Sequence, residues 1–235
     1  MNEGKLLVVI PAHNEEESLE TTVRQLMGTV PGVDFVVVND GSTDATGEIC
    51  RSRGFRCINL PVNVGLSHAI KCGMVYANNG GYSYVLQFDA DGQHDARYIS
   101  EMLEQLQHED CDIVIGSRFL AQPMPLNART IGARILSALI RLVSGQRLTD
   151  PTSGMRMYSS RMIRLFAVQT NMNPEPDTLS YLIKCGVRVK ELPVVMHERQ
   201  AGKSMFSLVS SVEYMVRTAF SLCFVQVFRK KDSLI

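Results

Sequence analysis

The sequence predicts an α/β fold in which a mainly parallel sheet is flanked by helices. Short apolar runs alternate with segments of helical periodicity from residue 6 to about residue 116, and the connections between them are short. Such alternation favours parallel strands joined by right-handed crossover helices. Polar residues follow several of the apolar runs, at the carboxyl ends of the predicted strands, which is where ligands bind in such sheets.

The first strand and helix show this plan clearly. Leu6 to Ile10 is a continuous apolar run, typical of a strand covered on both faces, and Pro11 is expected to end its hydrogen bonding. Asn14 is the expected N-cap of a helix whose apolar residues begin at Leu19. His13 lies between the two elements and is therefore expected at the binding edge.

Two more units repeat the alternation. Val36 to Val38 is the second strand, which ends in a polar turn at Asp40. A helix follows and closes near Gly54, and Phe55 to Leu60 is the third strand. The next helix has an apolar face at helical spacing, and Asn78 to Gly81 ends it. The residues of that face are Leu66, Ala69, Ile70, Gly73, Met74 and Ala77.

The fourth strand, Tyr84 to Phe88, ends abruptly in carboxylates. Because side chains alternate along a strand, Asp89 and Asp91 are expected to point to the same side. Two such acids suit Mg²⁺ or Mn²⁺, which prefer oxygen ligands and keep positions open for substrate phosphates. Gly92 lets the chain turn and keeps Gln93 near the same point. The alternative is a polar turn that only caps the strand.

After a further helix near Ile99 to Leu106 and a strand at Ile113 to Ile115, the pattern changes. Asn127 to Ser144 is predicted to be an amphipathic helix. Arginines accompany its apolar face, which suits the surface of an anionic membrane, and a solvated helix face is the alternative. The apolar residues are Ile131, Ile135, Ala138, Leu139 and Leu142, and the arginines are Arg129, Arg134, Arg141 and Arg147.

The segment from Met205 to Phe228 is apolar on several sides and contains only Glu213 and Arg217 as charged residues. Each charge costs about 2.5–3.5 kcal/mol at the centre of a bilayer, so a spanning helix is not expected. A helix in the membrane plane or covered by a partner is expected, and a helix folded back onto its own domain is the alternative. We therefore predict a domain at residues 1–204 and an apolar helical tail at 205–235.

Composition narrows the class of partner. The 24 basic and 24 acidic residues balance, so nucleic acid is not an expected partner. Six dispersed cysteines without a Cys-x-x-Cys pair fit reduced thiols in the cytosol. Residues 1–10 lack the character of a signal peptide. We expect a cytoplasmic protein that touches the cytoplasmic face of the membrane peripherally.

Six short motifs follow one another along the chain. They are VVIPAHNEEESL at 8–19, VVNDGSTD at 37–44, NVG at 63–65, DADGQH at 89–94, GSR at 116–118 and DPTSG at 150–154. Together they resemble glycosyltransferase family 2, over about residues 6 to 204. The resemblance implies the GT-A fold with its Rossmann-like nucleotide-binding sheet, a nucleotide-sugar donor, Mg²⁺ or Mn²⁺ as cofactor, and inversion at the anomeric carbon. The Gln93-His94 pair and the GSR turn look like dolichyl- or polyprenyl-phosphate hexosyltransferases.

The resemblance also implies roles by position. The residues expected to contact the nucleotide sugar are Pro11, His13, Asn14, Glu15, Asp40, Asn63 and Asp89. The expected metal ligands are Asp89, Asp91 and Gln93. The expected contacts of an acceptor phosphate are Arg118, Arg129, Arg134, Arg199 and Lys203, and the expected catalytic residues are Asp91, Arg118 and Asp150. The family pattern has a small hydroxyl residue where this helix carries Gly132-Ala133.

These roles predict transfer of a hexose to undecaprenyl or dolichyl phosphate, in the synthesis of cell-envelope polysaccharide or a glycoconjugate. UDP-glucose is the favoured donor and GDP-mannose the second. A lipid phosphate needs arginines rather than a base, whereas a saccharide hydroxyl would need a carboxylate base such as Asp150 or Asp177. Extension of a saccharide and a non-catalytic nucleotide-sugar-binding subunit are the alternatives. Because the membrane spans of many relatives are missing from the sequence, a small integral-membrane partner or a homo-oligomer is expected.

Overall fold

The computed structural model describes residues 4–108, 110–120, 128–198, 208–226 and 229, without the side chains of 128, 129 and 208–212. Within these residues a seven-stranded sheet has the order β3-β2-β1-β4-β6-β5-β7. Strand β6 runs antiparallel to β4 and β5, and the other pairs are parallel. The strands are β1 Leu6–Ala12, β2 Asp34–Asp40, β3 Cys57–Leu60, β4 Tyr84–Gln87, β5 Ile113–Ser117, β6 Arg156–Ser159 and β7 Val189–Pro193.

Helices cover both faces of the sheet. The residues of β1 alternate between two apolar cores: Leu7 and Val9 belong to one, Val8 and Ile10 to the other, and all are fully buried. This double burial is what the unbroken apolar run predicted. The helices are α1 Leu19–Thr29, α2 Thr46–Arg53, α3 Leu66–Asn79, α4 Ile99–His108 after a 3₁₀ turn at Ala96–Tyr98, α5 Ala128–Ser144, α6 Ser160–Val168, α7 Pro176–Lys184 and α8 Leu208–Phe220 with a π-helical turn at Ser221–Gln226.

Two predictions about the first loop are wrong. Strand β1 does not end at Pro11, which pairs in register with Val38. The backbone of Pro11, like that of Val9, faces β4. The pairing of β1 with β4 ends at Val9, so the N–H group that proline lacks would have had no partner strand there. Asn14 is not the N-cap of α1, which begins after Ser18. Instead Asn14 takes a left-handed backbone conformation with φ 55° and binds the loop after β2.

Most of the apolar residues named for α5 are exposed at the surface of the domain. Ile131, Ile135 and Leu142 are 48%, 53% and 81% exposed, whereas the buried residues lie on the adjoining stripe. That stripe contains Ala133, Leu136 and Ile140. The helix carries apolar side chains on both stripes, so its periodicity alone did not identify which of them meets the core.

The described part of the tail packs on the domain. Leu222 is fully buried, and Met215 of α8 lies directly on Gly132 of α5, where a Cβ atom would clash with its sulfur. Ser221 Oγ donates to Asp177 Oδ2 at 2.6 Å. The outer side of α8 and the π turn is exposed at Val216, Phe220, Phe224 and Val225. In the part of the chain that the structure describes, no helix has the length and apolar character of a membrane span.

Candidate active site

The site lies at the carboxyl edge of the sheet. Strands β1, β2 and β4 are adjacent and parallel, and β5 runs in the same direction across the antiparallel β6. Their ends therefore bring polar residues from distant parts of the sequence to one edge, as predicted. These residues are His13 and Asn14 after β1, Asp40 at the end of β2, Asp89 and Asp91 after β4, and Arg118 after β5.

Asp40 is the last residue of β2, and its side chain is buried. Its Oδ1 and Oδ2 atoms accept hydrogen bonds from the backbone N–H groups of Val64 at 2.8 Å and Gly65 at 2.9 Å. Asn63 Oδ1 also accepts from the Gly65 amide, at 3.0 Å, and the Asn63 residue is exposed. Asp40 thus holds the loop at 63–65 beside the end of its strand.

The loop after β1 is tied to that same turn. His13 Nδ1 donates to the carbonyl oxygen of Asp40 at 2.7 Å, because a carbonyl can only accept. Asn14 Oδ1 accepts from the amide of Thr43 at 2.8 Å. Glu15 is buried, its amide donates to Thr46 Oγ1 at 2.9 Å, and its carboxylate accepts from a serine hydroxyl on its own loop. The predicted nucleotide-binding residues from β1 and β2 therefore form one connected wall, and Pro11 is buried behind it.

Asp89 and Asp91 occupy the turn after β4, with Asp89 half-buried and Asp91 buried. Asp91 Oδ1 accepts from the amide of Gln93 at 3.1 Å, which fixes the turn. His94 is buried in the same turn: its Nδ1 accepts from the Asp89 amide at 2.9 Å, and its Nε2 lies 3.6 Å from Asp89 Oδ2. Because Nδ1 accepts this hydrogen bond, it carries no hydrogen, and the ring hydrogen lies on Nε2, facing the carboxylate. His94 orients Asp89, a role that the motif did not reveal.

Gly154 lies against the same carboxylate from another part of the chain. A Cβ atom at this position would come within 2.3 Å of Asp89 Oδ2. The turn at 150–154 therefore closes over Asp89, and only glycine leaves room for it. The sequence placed these two motifs 60 residues apart and gave no sign of this contact.

Arg118 and Asp150 form a paired side-chain contact next to this turn. Arg118 donates from Nε to Asp150 Oδ2 at 2.6 Å and from Nη2 to Oδ1 at 2.8 Å. Asp150 has no exposed surface, whereas the Arg118 side chain is 35% exposed. Burial acts to lower the pKa of Arg118, but the hydrogen bonds and charge of Asp150, with the charge of Asp89, outweigh it and raise that pKa. The pair presents a fixed cation close to the turn of Asp89 and Asp91.

The other predicted acceptor residues are less completely described. Arg134 is exposed on α5. The side chain of Arg129, and Arg199 and Lys203 entirely, lie outside the described residues. The segment that leads to Arg199 is described as far as 198, and it contacts the turn after β4: the amide of His197 donates to the Gln93 carbonyl at 2.9 Å.

The two carboxylates considered as bases are both engaged elsewhere. Asp150 holds Arg118, and its second contact is the amide of that residue at 3.2 Å. Asp177 accepts from Ser221 of the tail and from its neighbour's amide. Glu191 of β7, which sequence reasoning missed, accepts from the turn that carries Asp150.

A mainly parallel sheet whose carboxyl edge collects paired acids and a fixed arginine is the arrangement of a nucleotide-binding α/β enzyme. The chain matches the model of the family described as Glycosyl transferase family 2 over residues 7–166. It belongs to this family and is a glycosyltransferase, as the sequence motifs predicted.

Several relatives align over most of the chain. An undecaprenyl-phosphate mannosyltransferase of Micrococcus luteus is 31% identical over 215 residues, which cover 86% of this chain and 88% of the relative. A polyprenol monophosphomannose synthase of Mycolicibacterium smegmatis is 28% identical over 92% of this chain and 86% of its own. A UDP-N-acetylglucosamine–dolichyl-phosphate N-acetylglucosaminyltransferase of Methanococcus voltae is 27% identical over 72% and 75%.

The fold has a counterpart among solved structures. Glucosyl-3-phosphoglycerate synthase from Mycobacterium tuberculosis, in complex with Mn²⁺, uridine diphosphate and phosphoglyceric acid, superimposes with a TM-score of 0.68 and 19% identity. The superposition covers 98% of this chain and 81% of that one. It confirms the predicted GT-A fold.

Proposed function

We propose that this glycosyltransferase moves a hexose from a nucleotide sugar to a polyprenyl phosphate, with inversion at the anomeric carbon. The observation that carries the proposal is Arg118, held by the buried Asp150 beside the turn of Asp89. A guanidinium fixed in this way suits a phosphate acceptor, which it would neutralise and position. The relatives named for transfer to undecaprenyl, dolichyl and polyprenyl phosphates support the same class of acceptor.

The engagement of Asp150 and Asp177 favours a phosphate acceptor over a saccharide hydroxyl. A hydroxyl needs a base to remove its proton, and both carboxylates considered for that role accept hydrogen bonds from protein groups. A lipid phosphate is already an anion. Its oxygen would attack the anomeric carbon from the face opposite the nucleotide, and the departing diphosphate would keep the electron pair of the broken bond.

The residues after β4 fit a divalent cation. Two carboxylates and a carboxamide, Asp89, Asp91 and Gln93, provide the oxygen donors that Mg²⁺ and Mn²⁺ prefer. Among the described residues no group of three or more His, Cys, Asp and Glu side chains is placed to hold a metal ion. A cation bound at Asp89 and Asp91 would therefore also need phosphate oxygens of the donor as ligands. Such an ion would stabilise the charge on the leaving diphosphate. His94 and Gly154 would keep Asp89 in place for this role.

No described contact selects the sugar. The sequence favours UDP-glucose as donor and GDP-mannose second, but the relatives from Micrococcus and Mycolicibacterium are named for mannose. We therefore place GDP-mannose first among the donors to test. The decisive experiment incubates the protein with undecaprenyl phosphate, Mn²⁺ or Mg²⁺ and a panel of nucleotide sugars. A lipid-linked hexose is expected, and transfer to a saccharide hydroxyl without any lipid product would contradict the proposal.

We further propose that the exposed apolar faces of α5 and α8 rest on the cytoplasmic face of an anionic membrane. Ile135, Leu142, Phe220 and Phe224 are each more than half exposed, and α5 packs on α8 at Gly132. Arg134 and Arg141 are also exposed on α5, and arginines beside apolar side chains suit anionic headgroups. A polyprenyl phosphate would then reach Arg118 from the bilayer. The alternatives are that a small membrane protein or a second copy of the chain covers these apolar faces.

Vesicle binding tests this surface. The double variant Ile135→Glu/Phe220→Glu is expected to lose most of its sedimentation with vesicles of phosphatidylglycerol and phosphatidylethanolamine, because it puts charge on the apolar face. Val168→Glu is the matched control, since Val168 is 58% exposed on α6. Equal sedimentation of wild type and double variant would exclude the membrane contact, and dimer formation by the wild type alone would favour a second copy.

A further inference from the structure

Glu191 is a half-buried carboxylate on β7 that the proposed reaction does not use. Its two oxygens accept from the amide of Thr149 at 2.7 and 2.9 Å, and Oε1 also accepts from the amide of Asp150 at 2.8 Å. The Thr149 hydroxyl lies 3.0 Å from Oε1. These bonds run from neutral donors to a charged acceptor, so they are stronger than ordinary backbone hydrogen bonds. They fix the turn from which Asp150 extends.

Glu191 lies on β7, and Arg118 directly follows β5, the strand that pairs with β7. In the parallel register of β5 and β7, Ile115 pairs with Glu191 and Ser117 pairs with Pro193. Ser117 Oγ also lies 2.6 Å from Thr149 Oγ1. The turn at 149–150 is therefore attached to β7 through Glu191 and to β5 through Ser117. From this turn the Asp150 side chain accepts two hydrogen bonds from Arg118, just beyond β5.

Arg156 fixes the other half of this turn. It is buried, and its guanidinium donates to the carbonyls of Pro151 at 2.6 Å and Ser153 at 2.9 Å. Ser153 Oγ donates to the Gly116 carbonyl at 2.6 Å. With residues 151–153 held in this way, the contacts at the amides of 149 and 150 complete the anchoring of the turn from which Asp150 extends. Glu191 is the described side chain that accepts from both amides.

We propose that Glu191 is a positioning residue: it fixes the turn so that Asp150 presents the Arg118 guanidinium to the acceptor. The acceptor half of this statement rests on the proposed function, and the orientation of Arg118 does not. In this proposal Glu191 acts without contacting a substrate. Its effect reaches the reaction through two carboxylates in series, Glu191 on the backbone of the turn and Asp150 on the arginine.

The variant Glu191→Gln tests the proposal. The NH₂ group of glutamine cannot accept, so one of the bonds from the Thr149 amide becomes a donor–donor contact. We expect kcat/KM for undecaprenyl phosphate to fall about tenfold, the effect of losing one charge-assisted hydrogen bond, while KM for the nucleotide sugar stays the same. Lys190→Gln, exposed on the same strand, is the control. Equal losses for acceptor and donor would overturn the proposal.

A spectroscopic readout separates positioning from a merely structural role. The Nε–Hε NMR signal of Arg118, assigned with Arg118→Lys, should move in Glu191→Gln and stay in place in Lys190→Gln. An unmoved signal would overturn the proposal. If the signal moves but the wild type transfers nothing to a lipid phosphate, the proposed function fails and the positioning role stands.

A double variant measures the coupling. In the Arg118→Lys background, Glu191→Gln should lower kcat/KM for undecaprenyl phosphate by less than about a further twofold, because both changes act through the same arginine. Full additivity would overturn the proposal. Should Glu191→Gln fold poorly, Thr149→Val removes one hydroxyl contact to Glu191 and one to Ser117, and the same shift of the Arg118 signal is expected.

Discussion

The two halves of the site are built in different ways. The proposed donor half, around Asp40 and Asp89, uses the ends of the adjacent strands β1, β2 and β4, and its turns bind mainly residues of their own or of the neighbouring turn, as His94 does with Asp89. The proposed acceptor half is assembled across β5, β6 and β7, and its central feature is the ion pair between Arg118 and the buried Asp150, 32 residues apart in sequence. The donor half is thus specified by short motifs, and the acceptor half by the tertiary fold. Disturbing each half should therefore produce a different kinetic signature.

The largest effect is expected in the donor half. Asp91→Asn removes a charged oxygen ligand without changing the shape of the turn, so turnover should fall about a thousandfold or more if a cation stabilises the leaving diphosphate. Turnover and the Mn²⁺ dependence of nucleotide binding are the measurements. Glu104→Gln, exposed on α4, is the control for loss of a negative charge. Turnover within a few fold of wild type would refute the metal assignment.

The second-largest effect is expected at Gly154, which lies against Asp89 where the two halves meet. Gly154→Ala places a methyl group 2.3 Å from Asp89 Oδ2, which must shift by about 1 Å to restore van der Waals contact. A displacement of that size at a reacting group can lower kcat about a hundredfold. Gly28→Ala is the matched control, because a Cβ at Gly28 in α1 meets nothing within 4 Å. If both variants kept full activity, the closure of the turn over Asp89 would have no part in catalysis.

The smallest of these effects concerns the acceptor half alone. Arg118→Ala should lower kcat/KM for the lipid phosphate by roughly thirtyfold while nucleotide-sugar binding changes little, because the cation would contact only the acceptor. It should also lower the melting temperature, since Asp150 is left buried without its partner. The double variant Arg118→Ala/Asp150→Asn should regain stability but not lipid use. Equal loss of donor binding and lipid use would show that the halves are not separate.

The sequence predicted the strands β1, β2 and β4 and the polar residues at their ends well, because this information is local. The apolar run of β1 had to be a doubly covered strand, and Asp89 and Asp91 had to follow the end of another. The prediction failed where two local solutions were equally good. Asn14 is an acceptable N-cap, yet its amide and side chain find partners in the next loop. Which of the two apolar stripes of α5 is buried was not predicted, because it depends on packing partners far along the chain, such as α8.

The acceptor half could be predicted only in part. Arg118 and Asp150 were identified by motif, but their pairing and the complete burial of Asp150 depend on how β5, β6 and β7 assemble. Glu191 follows Lys190 on a short strand and looks like an ordinary solvated residue in the sequence. Gly154 looks like an ordinary turn glycine. The role of each becomes visible only in its contacts with residues more than 40 positions away in the sequence.

The missing side chain at Gly132 lets Met215 rest on the backbone of α5. This helix lies within the stretch of chain between Arg118 and Asp150, so α8 helps to hold the connection between the two members of the ion pair. Truncation before α8, or a bulky residue at position 132, is therefore expected to disturb the Arg118–Asp150 pair and, with it, the proposed acceptor use. A shortened form made for crystallisation would be a poor reference for kinetics.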